Sequence, residues 1–298
     1  MRTLRPLFMV AALVAALIAP ASASGSSVKQ VALTFDDGDS ELHIRQAVAI
    51  AVATQTPITF FPTGKSLRKF PNLWKAIGDA GIPIANHTVN HNALCNWSKT
   101  LKQCVSISSS RLRLELKGWV DIAKGLGIKY VAYWRPPGGA WNNGVRSYAS
   151  SLGLSLSMWT NTFADTAAIC KNGKPRSRTA AGFFNATRTY AAGSSWWSQT
   201  SGGTKVIVLG HVNPFTAQTV KLLGAVITNY ADRGFQFVTI PELETGTPNR
   251  IDWTAAAAAV NAPAKRARDP RVTTSLPTPI DPLNTTYTFA QANGITCR

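Results

Sequence analysis

Acidic residues are scarce in this chain: 14 Asp and Glu stand against 31 Lys and Arg in 298 residues, a formal net charge of +17. Any cluster of acids is therefore informative. Histidine and cysteine are rarer still, with four of each. No two cysteines stand in C-x-x-C spacing, which argues against a cysteine-bound zinc module. The H-x-x-x-H pair at His87 and His91 has no Glu after its first histidine. The H-E-x-x-H protease class is thereby disfavoured. No G-x-G-x-x-G follows the first strand-like run, which disfavours a dinucleotide-binding fold. Beyond the N-terminal segment, no apolar run is long enough to span a bilayer.

That N-terminal segment has Arg2 and Arg5, an apolar stretch from Leu7 to Ile18, then Ala21-Ser22-Ala23. This is the layout of a secretory signal peptide cut after Ala23. The expected location is secreted, or periplasmic and cell-envelope. In such a compartment cysteines pair. Four cysteines allow three connectivities; proximity favours Cys95 with Cys104, leaving Cys170 with Cys297. The excess of basic residues raises nucleic acid as a partner, but an export signal argues against it. An anionic cell-wall polymer or envelope surface suits an exported basic protein better. Basic residues cluster at Lys171, Lys174, Arg176 and Arg178.

Strand-like runs recur near residues 29–35, 57–61, 82–86, 129–134, 154–159, 204–209 and 235–239. Helical patterns separate several of them, at His43 to Thr54, Leu73 to Ala80 and Leu112 to Gly125. Alternating β and α units predict an α/β fold, a (β/α) barrel with its chemistry at strand ends. Seven runs rather than eight predict a distorted, incomplete barrel. The expected organisation is residues 1–23 as leader, 24–245 as catalytic domain, and 246–298 as an irregular basic tail, rich in Pro and Ala, docked on the barrel.

The rare residue types gather where those runs end. Asp36, Asp37 and Asp39 follow the apolar Val31-Ala32-Leu33, with Gly38 as the expected turn. His87 and His91 follow the run at Gly81 to Asn86; at i, i+4 they would share one face of a helical turn and grip one cation. His211 follows Thr204 to Gly210. Together these clusters predict one metal-assisted active site.

The order and spacing of Thr34-Phe35-Asp36-Asp37-Gly38, His87-x-x-x-His91, Arg135-Pro136-Pro137 and Leu209-x-His211 resemble the polysaccharide deacetylases, the NodB-homology carbohydrate esterases of family 4. Thr59 to Gly64 and Phe237 to Leu243 are similar to that family's second and closing strands. The resemblance covers roughly residues 28–245. It implies that Asp37, His87 and His91 hold a divalent cation, Zn²⁺ first, with Co²⁺, Ni²⁺ or Fe²⁺ also suiting such donors. It further implies Asp36 as general base, Arg135 as the cation that orients it, and His211 as general acid. A backbone N–H just after Pro137 would help stabilise the oxyanion.

Two departures stand out. Gly138-Gly139 replaces the usual aromatic after Pro137, and paired glycines are expected to loosen that backbone. The fourth motif, D-x-x-D-W, reads Thr162-Phe163-Ala164-Asp165-Thr166, so only Asp165 remains to support His211. Trp97, Trp141, Trp159, Trp196 and Trp197 suit sugar faces, although packing is the commoner fate of any one tryptophan.

The sequence is thus read as an exported metal-dependent hydrolase that removes acetyl groups from a carbohydrate polymer. An N-acetylglucosamine glycan such as peptidoglycan or chitin is the first choice, and acetylxylan the second. The alternative is a catalytically weak glycan-binding module on the same fold.

Overall fold

A computed structural model describes residues 28–98, 100, 103–162, 170–171, 174–175, 204–212 and 217–262. The proposed leader, Asp165, the Cys170–Cys297 pairing, the side chains of the basic stretch from Lys171 to Arg178, and the tail beyond 262 lie outside the described residues. So do the side chain of Trp97 and all of Trp196 and Trp197.

In chain order the strands are β1 (Gln30–Asp37), β2 (Ile58–Pro62), β3 (Cys95–Ser98), β4 (Gln103–Ser106), β5 (Tyr133–Trp134), β6 (Ser155–Leu156), β7 (Asn161–Thr162), β8 (Cys170–Lys171), β9 (Lys174–Pro175), β10 (Lys205–His211) and β11 (Gln236–Phe237). The helices are α1 (Glu41–Thr54), α2 (Gly64–Lys69), α3 (Pro71–Asp79), α4 (Ser109–Leu112), α5 (Gly118–Gly125), α6 (Asn143–Ser151), α7 (Ala217–Asp232), α8 (Ile240–Thr245) and α9 (Trp253–Asn261). A π-helical turn spans Arg113–Lys117.

β1 lies at the centre, parallel to β10 on one side and to β2 and β11 on the other. β10 continues to β7. Beyond β2, single parallel bridges at Phe60–Ile84 and Asn86–Trp134 lead to β5, which pairs with β6. This is an α/β fold whose parallel strands run in one series, the order expected of a distorted, incomplete barrel. The expected strand at 82–86 is reduced to two bridges because Pro83 has no N–H to give the ladder. Its carbonyl still accepts from Phe60 N at 2.9 Å.

A strand buried on both faces needs apolar residues throughout, as parallel strands do. In β1, Val31, Leu33 and Phe35 join the larger core with α1 and α3, whereas Ala32 packs inward with Phe61, Ile207 and Val238. Side chains alternate along a strand, so Thr34 and Asp36 follow Ala32 toward the interior. The sequence thereby delivers a carboxylate to the inner rim of the barrel.

Two elements correct the sequence reading. Ile240 to Leu243, expected in the closing strand, are helical; Thr239 and Glu242 form a capping box with Pro241 in the first turn. Ala255 to Ala259, expected in an irregular tail, lie in α9, which Asp252 caps and which packs on α1 and α3. Arg45 Nη1 donates to the Ala259 and Val260 carbonyls at 3.1 and 2.8 Å, satisfying the end of α9. The polar stretch around Cys95 is the hairpin β3–β4, closed by the expected Cys95–Cys104 disulfide.

Candidate metal centre

At the end of β1, Asp36 and Asp37 part company. Asp36 keeps the inward direction of its strand, while Asp37 has φ 73 and Gly38 φ 78. The divergence comes from this left-handed step rather than from strand alternation alone. A side chain at position 38 is excluded, since a Cβ there would lie 2.6 Å from Trp74 Cζ2 and 2.7 Å from Ser66 Oγ. Ser66 Oγ donates to the Gly38 carbonyl and accepts from Trp74 Nε1 at 2.8 Å. Thr63 N donates to the Asp37 carbonyl at 3.0 Å. The turn is therefore held from beneath by α2 and α3.

His87 and His91 are not on a helix. Thr88 and His91 have φ 64 and 60, so the segment turns through left-handed residues. The two rings nevertheless meet, their centroids 4.9 Å apart. Asn86 Oδ1 accepts from Thr88 N at 2.8 Å, and Thr88 Oγ1 accepts from His91 N at 3.1 Å. Short side-chain bonds of this kind support tight turns where a helix would otherwise form.

One carboxylate and two imidazoles converge. Asp37 Oδ1 lies 3.6 Å from His87 Nε2 and 3.3 Å from His91 Nε2. One donor atom from each residue falls within 4.8 Å of the others. His87 Nδ1 is 2.9 Å from the Arg135 carbonyl; donating its proton there leaves the Nε2 lone pair for a cation. Burial pulls the His87 pKa below its ordinary value, against the raising effect of Asp36 and Asp37. A neutral imidazole is what a metal requires. The donor set fits a divalent cation.

Beside this triad sits the second carboxylate. Asp36 Oδ2 is 3.5 Å from His87 Nε2, and Asp36 Oδ1 accepts from Arg135 Nη1 at 2.8 Å. The same Nη1 donates to Thr34 Oγ1 at 2.8 Å, and Arg135 Nε donates to the Ser157 carbonyl at 3.0 Å. Phe61 lies under the guanidinium at 4.0 Å. Burial lowers the Arg135 pKa while the Asp36 carboxylate works to raise it. Arg135 Nη2 is buried with no hydrogen-bond partner among the described residues. Thr162, on β7, is buried and has no carboxylate to offer it.

His211 ends β10 in register with Asp36. Equivalent residues of neighbouring parallel strands face the same way, so His211 and Asp36 share the inner rim. Gly138 and Gly139 follow Pro137 with φ 61 and 71, so this turn calls for glycine rather than being loosened by it. Gly139 N and Ala140 N close the turn onto the Pro136 and Pro137 carbonyls, which leaves Gly138 N–H outside those two bonds. Trp159 leaves little room for a side chain at position 139, since a Cβ there would lie 3.0 Å from its Cη2, and its ring lies 5.8 Å from the guanidinium, at the edge of the site. Trp141 instead packs on the second core. The structure thus brings Asp36, Asp37, His87, His91 and Arg135 together and puts His211 beside them. Ser66, Trp74 and Ser157 carry no motif; their roles exist only through the fold.

The polysaccharide deacetylase family model matches residues 23–157. A peptidoglycan-N-acetylglucosamine deacetylase of Bacillus cereus is 25% identical over 215 residues, 72% of this chain and 88% of that protein. A chitooligosaccharide deacetylase of Sinorhizobium fredii is 27% identical over 137 residues, 46% of this chain and 60% of that protein. Among solved structures, a pseudoenzyme of carbohydrate esterase family 4 from Bacillus anthracis superposes with a TM-score of 0.58 at 19% identity. That superposition covers 76% of this chain and 68% of the other; likeness at this identity speaks to the fold alone.

Proposed function

We propose, from the match of residues 23–157 to the polysaccharide deacetylase family model, that this chain is an exported, metal-dependent deacetylase of a carbohydrate polymer. An N-acetylglucosamine glycan, peptidoglycan or chitin, is the favoured substrate class, with acetylxylan second. The names of the Bacillus and Sinorhizobium relatives support the first class. The observation that carries the reading is the convergence of Asp37, His87 and His91 next to the buried Asp36–Arg135 pair.

Asp37, His87 and His91 would hold the cation, Zn²⁺ by preference and Co²⁺, Ni²⁺ or Fe²⁺ as substitutes. When bound, it supplies Lewis-acid polarisation of an acetyl carbonyl and makes water more acidic. Asp36 Oδ2 takes the proton of the attacking water, because Oδ1 is occupied by Arg135. Arg135 fixes that carboxylate through a fork that also grips Thr34 and Ser157. His211 gives a proton to the departing amine or alcohol, with Asp165 as its supporting acid. Gly138 N–H is the backbone donor offered to the oxyanion. Trp159 forms a sugar-facing wall at the rim. The basic composition favours anionic envelope polymer as the setting.

The test is acetate release from chitooligosaccharides, peptidoglycan and acetylxylan, with and without chelator, beside Asp36→Asn. Release that chelation and the substitution both abolish is the expected result, and the best substrate names the class. No release from a folded, metal-loaded protein would replace this reading with the glycan-binding module, for which Thr162 and an Arg135 Nη2 without a partner among the described residues are the motive.

A further inference from the structure

The loop that joins the two histidines is gripped from both sides. We infer that Glu115, on the π-helical turn, is the positioning residue that sets this loop for cation binding; the inference rests on the metal-centre reading above. Glu115 is fully buried, although it is a carboxylate in a chain poor in acids. Its Oε2 accepts from Asn90 N at 2.8 Å. Its Oε1 accepts from Asn90 Nδ2 at 3.0 Å and from Asn92 Nδ2 at 2.8 Å. Two backbone carbonyls add to this: Glu115 O accepts from Val89 N at 3.1 Å, and Leu116 O from Asn86 Nδ2 at 3.0 Å. Five donors of the segment from Asn86 to Asn92, which holds both histidines, thus end on two consecutive residues of one turn.

The π geometry explains how. A π turn lengthens the amide-to-carbonyl register by one residue, so carbonyls leave the α-helical pattern and become available to a neighbour. Arg113 to Lys117 adopt this register between α4 and α5, and within it the Glu115 and Leu116 carbonyls accept from the loop. From the other side, Gly64 N and Lys65 N donate to the Thr88 and Val89 carbonyls at 2.9 and 3.0 Å. Val89 is wedged between two glycines. A Cβ on Gly64 would lie 3.0 Å from Val89 Cα, and one on Gly118 would lie 3.3 Å from Val89 Cγ2.

Such a clamp answers a need. Thr88 and His91 have left-handed backbones without being glycine. Residues in that region persist only where their surroundings over-determine them. His91 is the outermost ligand, its side chain 47% exposed, so packing alone does not fix its ring. Amide donors to a buried carboxylate are charge-assisted and directional, which suits the task.

The experiment is a Co²⁺ titration of the full metal-free chain, followed by calorimetry and by the visible absorption of the bound ion. Wild type, Glu115→Gln and Asn92→Ala are compared, with circular dichroism of each metal-free protein as the fold control. Glutamine keeps the shape but turns an NH₂ group toward N–H donors. Asn92→Ala removes one bond and leaves the carboxylate in place. The expected result is a Kd for Co²⁺ raised about 10- to 100-fold in Glu115→Gln. A smaller rise is expected in Asn92→Ala, with an altered absorption envelope, wild-type circular dichroism of the metal-free forms, and acetate release restored by excess cation. Affinity within twofold of wild type in folded variants would overturn the inference. Should Glu115→Gln fail to fold, Asn92→Ala decides by the same criterion. Wild type that binds no Co²⁺ would overturn the metal-centre reading and this inference together. Wild type that binds Co²⁺ and releases acetate beside unaffected variants would overturn this inference alone.

Discussion

Arg135 Nη1 lies 2.8 Å from Asp36 Oδ1, with the arginine side chain fully buried and the aspartate 3% exposed. Removing one partner of such a pair strands the other charge. Arg135→Met is expected to destabilise the protein by about 3–5 kcal/mol. Arg135→Lys should recover little, because an ammonium cannot reach Asp36, Thr34 and the Ser157 carbonyl as the fork does. Urea unfolding of both variants beside Asp36→Asn measures this. Lysine restoring wild-type stability would show that charge, not fork geometry, is what the site needs.

The two adjacent aspartates should separate cleanly by assay. Asp37→Ala deletes the carboxylate that lies against both imidazoles, and calorimetry should show cation binding lost. Asp36→Asn should still bind the cation, while acetate release falls by about 10²-fold or more. Equal loss of binding in both variants would make Asp36 a ligand instead.

Acid should weaken the metal-free protein through His87. Burial lowers its folded pKa below the unfolded value of about 6.5. As pH falls below that value, the unfolded chain takes up a proton that the folded chain refuses. Stability is therefore intact above about pH 6.5 and lost below it, by at most about 1.4 kcal/mol per pH unit. Denaturant titrations at several pH values, with His87→Gln as reference, isolate this slope. The same slope in both proteins would assign it to other groups.

Gly38→Ala should cost about 1–3 kcal/mol. The backbone at φ 78 disfavours any side chain, and the new methyl would meet Trp74 Cζ2 at 2.6 Å and Ser66 Oγ at 2.7 Å. Because Asp37 precedes this turn, cation affinity should fall together with the melting temperature. A melting temperature within a degree or so of wild type would show that the turn can give way.

Much of this was legible before any coordinates. Buried parallel strands must be continuously apolar, so scarce polar residues at their ends announced Asp36, Asp37, His87 and His211 as rim positions. The first helix and the Cys95–Cys104 pairing followed from equally local signals. The capping box at Thr239 and Glu242 was local too, but a β-branched run leading into it masked the helix. Spacing alone put His87 and His91 on a helical turn; it did not show the left-handed φ values at Thr88 and His91, whose amides bond Asn86 Oδ1 and Thr88 Oγ1. Position 162 could be named from sequence, but not the buried Nη2 of Arg135, which has no partner among the described residues.

By itself the sequence determined which residue types stand at which strand ends, because period-two burial and residue scarcity are properties of short stretches. The tertiary structure decided which of them meet. Arg135 reaches Asp36 across 99 residues and Trp119 reaches the Pro62 carbonyl across 57. Glu115 reaches Asn90 across 25. Contacts of this kind are set by the order of the strands, which no local stretch encodes.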